Sequence, residues 1–513
     1  MTAPDVLYVE MYIESGSEIL DEISAEILDN AGNVITDLNG WTSIVDDVLT
    51  DAPIVIFQGQ HDSGPEDRVA DSGSIRFTLD NSASNSASTV GYYSPDHASL
   101  RSGFGLGVKI RVGMEKDGVT QWISQGKIVT IEPAAGNLNS KKVDVIAADW
   151  MDIASRTNMP WISMPSIQNS TDDQVIQYIL RNLDDVPEMT DYDTGSYTYP
   201  YPLNDIVDGR DTVMTIFQKL MMSGLGRVYI VGNTSSGEVL KYISLDTLVA
   251  GGSVVATFDN DFEAMQVSRQ AYRRVKRVHV KTGKLAEYGT TSSTLIYSLP
   301  SDSIIVPAGD SVEFIAKFSD VEGVVDSGAD VGAIRANFLG DLYYSGAGGT
   351  GSSMYSSFVT SVSVDGVNSI RVKLINTGAV PGYVYRYDVY GKILYAKENY
   401  IYRLEDSSIP DGQGVTLDWN ALSQNSYSAA VEIGDLLMDW HGRDITEVKS
   451  LTFTPTASAG NYEKMINAKP GETVHVVDDV SGIDADMLAI GFELQIWNNG
   501  AHIKETLFVS QTV

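Results

Sequence analysis

Between Trp41 and Met151 the chain is broken too often to sustain long helices. Short segments in which apolar and polar residues alternate are separated by clusters of Gly, Asn, Asp, Ser and Pro. Ile54–Phe57, Ser74–Leu79, Val108–Val112, Trp122–Ile131 and Val143–Ala147 each carry β-branched or alternating character. In IRFTLD, Ile75, Phe77 and Leu79 face one way while Arg76, Thr78 and Asp80 face the other, as the two-residue period of a strand requires. The intervening GQHDSGPEDRVADSG and NSASNSASTVG are rich in residues that tolerate turns. Five or so such strands in about 100 residues predict a small antiparallel barrel or sandwich.

A chain of 513 residues exceeds what one hydrophobic core usually serves, so several domains are expected. Cys is absent, which excludes a disulfide-stapled scaffold and any Cys-ligated zinc or iron–sulfur centre. The N-terminal segment has no basic stretch ahead of an apolar run, and no apolar run is long enough to span a bilayer. Synthesis and folding in a cytoplasm are therefore expected. The net charge of −33, from 35 basic and 68 acidic residues, disfavours binding of nucleic acid. It suits either solubility or a channel wall to which phosphate does not adhere. Tyr, at 26 against 13 Phe, fits half-wet sheet faces and subunit interfaces.

The predicted fold class is mainly β with an α+β module: two small β-barrels, a helix-containing α+β domain and an inserted immunoglobulin-like β-sandwich. Residues 1–40 read as an N-terminal extension, holding the alternating LYVEMYI and a helix or hairpin turning at Asp29–Gly32. Residues 41–151 form the first barrel and 152–289 the α+β domain. In the latter, Ser170 caps a helix with an apolar stripe of Val175, Ile176, Ile179, Leu180 and Leu183. Asp211 caps a second, striped by Val213, Ile216, Phe217, Leu220 and Met221 and stopped by Gly224. Residues 290–397 are the inserted sandwich, strongly β with Gly-rich breaks. Residues 398–513 hold a linker helix capped by Asn425 or Ser426 and ended by Gly442, then the second barrel. There Asn498-Asn499-Gly500 marks a hairpin.

Chemistry is sparse. The six histidines (His61, His97, His279, His441, His475 and His502) show no metal-ligand spacing, and His279 and His475 alternate with valines on strands. GFGLG at Gly103–Gly107 leads into a strand, unlike a dinucleotide loop. Adjacent acids such as Asp172-Asp173 are expected at this density, and those two suit the first turn of a helix. DNAGN and DDVSGIDAD lack EF-hand spacing. No cofactor and no catalytic activity are predicted. The Tyr-rich loops GYYSPDH and SYTYPYPLND suit stacking on sugars or protein contact, or packing on their own domain. RQAYRRVKRVHVKTGK concentrates positive charge in an acidic chain, which reads as a solvated strand or as a surface complementing an acidic neighbour. Arg273, Arg274, Lys276 and Arg277 are the candidate subunit-interface residues.

Several elements, taken in order, resemble the tail hub proteins of long-tailed phages. They are Trp41 to Asp46; Arg68-Val69-Ala70-Asp71-Ser72-Gly73; Phe77-Thr78-Leu79-Asp80-Asn81; and Tyr93-Ser94-Pro95. Gly107–Val112, Gly126-Lys127-Ile128 and the series Val143, Val145, Ala147, Asp149 follow. Further along come FQKLMMSGLGRVYI, Asn376 to Gly378 and Gly471 to Val474. The resemblance spans roughly residues 40–513, and the first 40 have no counterpart. It implies a homotrimer in which two similar barrels per chain alternate around a pseudo-sixfold ring, matching a hexameric tail tube to a threefold tip. Implied partners are tail tube and distal tail proteins, tail fibre or spike proteins and a tape-measure protein, with DNA transiting the channel unbound. The implied location is the virion tail tip, after assembly in the host cytoplasm. Three alternatives stand beside it: a distal tail ring protein, an adhesin whose insert grips host-surface glycans, and a carbohydrate-active enzyme with two carboxylates among the 68 acidic residues.

Overall fold

The computed structural model describes residues 4–13, 40–62, 64–134, 141–159, 167, 169–200, 202, 211–232, 237–269, 274–283, 285–288, 295–299, 304–317, 342–346, 349–366, 369–390, 393–396, 399–443 and 446–511. Strands dominate, as the alternating segments require. The two regions expected to close as separate barrels instead share one open sheet. Its path runs Ala264–Ser268, Glu447–Phe453, His502–Gln511, Ile483–Trp497, Ile54–Gly59, Ser74–Asp80, Lys142–Ala148, Val119–Pro133, Lys109–Lys116, Val6–Ile13 and Gly40–Ser43. Ile483–Trp497 also pairs with Thr473–Asp478, which pairs in parallel with Val254–Asp259.

The seam between the halves is the antiparallel pairing of Ile54–Gly59 with Gly491–Ile496, ending in the glycine pair Gly59–Gly491. One continuous core lies behind it. Leu7, Val9, Phe77, Ile110 and Val145 from the first half join Phe258, Phe453, Phe492, Leu507 and Val509 from the second. The N-terminal segment is part of this body: Val6–Ile13 pairs with Lys109–Lys116 and with Gly40–Ser43, burying Leu7, Val9 and Met11. The expected turn at Asp29–Gly32 and the DNAGN loop lie outside the described residues.

Six α-helices occur among the described residues. They are α1 (Trp150–Arg156), α2 (Asp172–Arg181), α3 (Val213–Gly224), α4 (Leu245–Ala250), α5 (Tyr427–His441) and α6 (Ala459–Asn467). Of the stripes read from sequence, Val175, Ile176, Ile179 and Leu180 on α2 and Val213, Ile216, Phe217, Leu220 and Met221 on α3 are buried, while Leu183 lies past the end of α2 and is half-buried. Both expected N-caps are one residue early. Thr171 caps α2 in a capping box with Gln174, and Thr212 caps α3, accepting from the Thr215 N–H. Gly224 is the last residue of α3, and Leu225 takes the left-handed turn at φ 58°. Ser426 caps α5 and Gly442 closes it.

The insert forms small sheets around a core that includes Val306, Phe358, Val372, Leu374 and Val384. A separate core joins α5 to Val275–Thr282 and Val415–Ala421 through Val278, Val280, Trp419, Ile433 and Leu437.

In His502–Gln511 the inward-facing residues are Ile503, Glu505, Leu507 and Val509. Glu505 is 1% exposed, and its Oε2 has no hydrogen-bond partner. Burial pushes its pKa well above the ordinary value. Stability from this site is therefore greatest below the unfolded-state value of a glutamate and falls as pH rises toward the folded one. Glu505→Gln keeps the volume and removes the charge. It is expected to stabilise the protein by about 1–3 kcal/mol at pH 8, with the gain vanishing near pH 4, as read by urea denaturation at both pH values.

Candidate functional site

The basic strand Val275–Thr282 lies between Tyr400–Glu405 and Val415–Ala421. Arg273 lies outside the described residues. Arg274 Nε donates to Gly442 O at 2.6 Å, satisfying a carbonyl where α5 ends. Lys276 is largely buried and reaches Asp411, with Glu405 at 3.5 Å. Arg277 Nη2 lies 2.9 Å from Glu405 and 3.5 Å from Asp411. These bonds hold the Glu405 carboxyl below its usual range through Arg277, and that of Asp411 through Lys276. The structure thus gives the three described cations partners within the chain. Arg277→Ala is expected to leave stability nearly unchanged, as loss of an exposed pair does. Lys276→Ala is expected to cost more, because its buried stem also packs; paired urea melts compare the two.

The Tyr-rich loops point inward at their key residues. Tyr93 is fully buried, donates to Asp47 and accepts from Arg101 Nη1 at 2.8 Å. Asp47 also accepts from the Ser86 N–H at 2.6 Å and the Ser86 hydroxyl at 2.7 Å, so this network fastens a loop. Tyr199 donates to Asp172 at 2.6 Å beneath the first turn of α2. Burial pushes the Asp172 carboxyl up to about 7.

Each histidine with a described partner is accounted for locally. His279 Nδ1 meets Asp418 at 2.9 Å, and His475 bridges Asp486 at 2.7 Å and Asp484 at 3.2 Å. His61 stacks on Phe57 with ring centroids 3.7 Å apart. Burial brings His441 down to about 3. Among the described residues, no group of three His, Cys, Asp or Glu is placed to hold a metal ion.

Two buried polar constellations escaped the sequence reading. The first is Arg68, 3% exposed, on the segment between two strands of the first half-sheet. Its Nη1 donates to Leu225 O at 2.7 Å, and its guanidinium carbon lies 5.3 Å from the Trp419 ring and 5.5 Å from that of Trp440. It thereby ties the sheet to α3, α5 and the strand Val415–Ala421. Beside it Arg227 Nη1 donates to Gln60 Oε1 at 2.9 Å. Burial, reinforced by Arg227, brings the Arg68 pKa down to about 9.

The second lies where Lys142–Ala148 passes into α1. Asp149 caps α1, its Oδ1 accepting from the Met151 N–H at 3.0 Å. Glu238 Oε1 accepts from the Trp150 N–H at 2.7 Å. Both carboxyls are buried, and burial raises the pKa of each; the charge of Asp149 raises that of Glu238 further. With Gln125 they line a cavity of about 60 Å³. At its mouth Lys127 pairs with Asp185, and Lys109 with Glu188 at 2.8 Å. Asp149 is the residue that closes the hub-like series read from sequence; its burial beside a second acid was not.

No family model matches the chain, and no curated protein matches it. Among solved structures it is similar to the 43 kDa tail protein of prophage MuSo2 from Shewanella oneidensis, at 11% identity and a TM-score of 0.44 over 90% of this chain and 94% of that one. A tail protein from Neisseria meningitidis MC58 aligns at 11% identity and a TM-score of 0.45, over 92% and 94%. Prophage tail protein gp18 from Listeria monocytogenes EGD-e aligns at 7% and 0.40, over 99% and 95%.

Proposed function

We propose that this chain is a non-enzymatic structural subunit of a phage tail, forming a trimeric hub ring with pseudo-sixfold character. The observation that carries the reading is the seam. The two ends of the chain that bear hub-like motifs, within residues 41–151 and 398–513, lie side by side through the pairing of Ile54–Gly59 with Gly491–Ile496. A subunit that offers two related bodies to a ring needs such a fixed internal junction, so that three chains supply six positions. The insert, 290–397, and the part of residues 152–289 outside the sheet strands Val254–Asp259 and Ala264–Ser268 then stand as appendages to the ring body. Partners would be tail tube and distal tail proteins on one side and fibre or spike proteins on the other. The net charge of −33 suits a channel that passes DNA or a tape-measure protein without holding it.

Burial of Tyr93 and Tyr199 removes two of the aromatics on which a glycan-binding reading of the Tyr-rich loops would rest. Sedimentation of the purified full chain over a wide concentration range tests the proposal. A trimer supports it, and a monomer throughout contradicts it.

A further inference from the structure

One sheet of the insert turns a row of aromatics toward solvent. Ile304–Val306, Gly382–Arg386, Leu342–Gly346 and Thr350–Ser353 pair in that order. Their register sets Ile305 opposite Tyr383, Tyr383 opposite Tyr344 and Tyr344 opposite Ser353, so these four share one face. The other face holds Tyr343 and Val384, both buried in the core of the insert. Tyr385, two residues beyond Tyr383, returns to the outer face and is 36% exposed. Its ring centroid lies 6.0 Å from that of Tyr344. Gly349 packs against the Tyr385 ring: a Cβ there would lie 3.3 Å from Cε2, so loop backbone sets the position of the ring. The Ser352 N–H donates to Ser345 Oγ at 2.9 Å and pins the adjoining hairpin.

We propose that this face binds a neutral oligosaccharide, with sugar rings lying on Tyr344, Tyr383 and Tyr385 and sugar hydroxyls bonding to the phenol groups and the neighbouring Ser and Thr. The chemistry selects the ligand class. Ile305, Tyr344, Tyr383, Tyr385 and Ser353 carry no charge, in a chain with a net charge of −33. An anionic saccharide would therefore find no cation on the row to pair with. Beside the tyrosines the edge strand Thr350–Ser353 is exposed along its whole length and presents only small residues, three of them bearing hydroxyls. Serine is depleted where protein partners meet, because larger apolar anchors fill such interfaces. A sugar, with an apolar face of C–H groups and a rim of hydroxyls, matches aromatic rings bordered by hydroxyls. Four paired strands span roughly 14 Å, which suits several linked sugars better than one. This inference goes beyond the ring assignment and does not rest on it.

The test uses the full chain and three uncharged hexasaccharides: α-linked glucose, β-linked glucose and N-acetylglucosamine. Oligogalacturonate serves as the anionic control. Isothermal calorimetry and saturation-transfer NMR would report binding. At least one neutral hexasaccharide is expected to bind, with an affinity indifferent to salt, and oligogalacturonate is not. Tyr383→Ala and Tyr385→Ala are each expected to weaken binding roughly tenfold, as loss of one stacked ring would. Tyr385→Phe keeps the ring and is expected to stay within about twofold of the wild type. Both tyrosines lie on the outer face, so the variants should fold, which circular dichroism would show. Failure of all three neutral hexasaccharides to bind would overturn the proposal. So would wild-type affinity in folded Tyr383→Ala and Tyr385→Ala, and so would a preference for oligogalacturonate. Altered sedimentation of these variants without sugar binding would assign the face to contact between copies, and that too would overturn it.

Discussion

Arg68→Ala is expected to destabilise the protein by about 3 kcal/mol or more, because it empties the space between two tryptophans and removes a donor together. The Leu225 carbonyl, which accepts from Arg68 Nη1, would be left without that bond where α3 ends. The cation–π contacts with Trp419 and Trp440 would vanish as well. The loss should appear as a lower urea midpoint and a red shift of tryptophan emission as both rings gain water. Arg68→Lys should recover little, since an ammonium cannot lie flat between the rings while donating to Leu225. A midpoint unchanged in Arg68→Ala would mean that the sheet and α5 are held together by other contacts.

Gly491→Ala is expected to have a larger effect, at about 4 kcal/mol or beyond, with little soluble protein recovered. A Cβ at Gly491 would lie 2.6 Å from Gln60 N and 2.8 Å from Gln58 O, which are backbone atoms of the paired strand and cannot swing aside. Its partner Gly59 sits at φ +91°, and a Cβ there would lie 2.5 Å from the Gly491 Cα. The seam therefore depends on two glycines meeting across the strands. Since one core runs behind both halves, separating the strands would open that core to water. Soluble yield and protease resistance would report the outcome. Wild-type values for Gly491→Ala would show that the halves are joined elsewhere.

What the sequence reveals depends on range. Period-2 strands, the stripes of α2 and α3 and the Asn498–Gly500 turn were legible, since each is written in neighbouring residues. The cap of α2 was legible too, but Thr171-Asp172-Asp173-Gln174 is the capping box and Ser170 lies just outside it. The single sheet was not legible. Alternation says which face a strand buries but not which strand it joins, and Ile54–Gly59 finds its partner at Gly491–Ile496. Two separate barrels were therefore expected where one open sheet runs.

Buried charges were equally hidden, because Arg68 and Glu238 lie in polar surroundings that read as solvated. Glu505 did leave a signal: it stands in phase with Ile503, Leu507 and Val509, on the apolar side of its strand. For the basic strand, charge density could not distinguish partners within the chain from partners outside it. The structure supplies Glu405 and Asp411 as local ones.

The proposed ring assembly is tested most directly by electron microscopy with class averaging of the purified full chain, or of tails that contain it. The account predicts a closed ring with threefold symmetry and six peripheral lobes around an open channel. The seam of Ile54–Gly59 and Gly491–Ile496 would join lobes in pairs. A sixfold ring, one chain per lobe, would contradict the hub assignment in favour of a distal tail ring. Isolated monomers at high concentration would contradict ring assembly altogether.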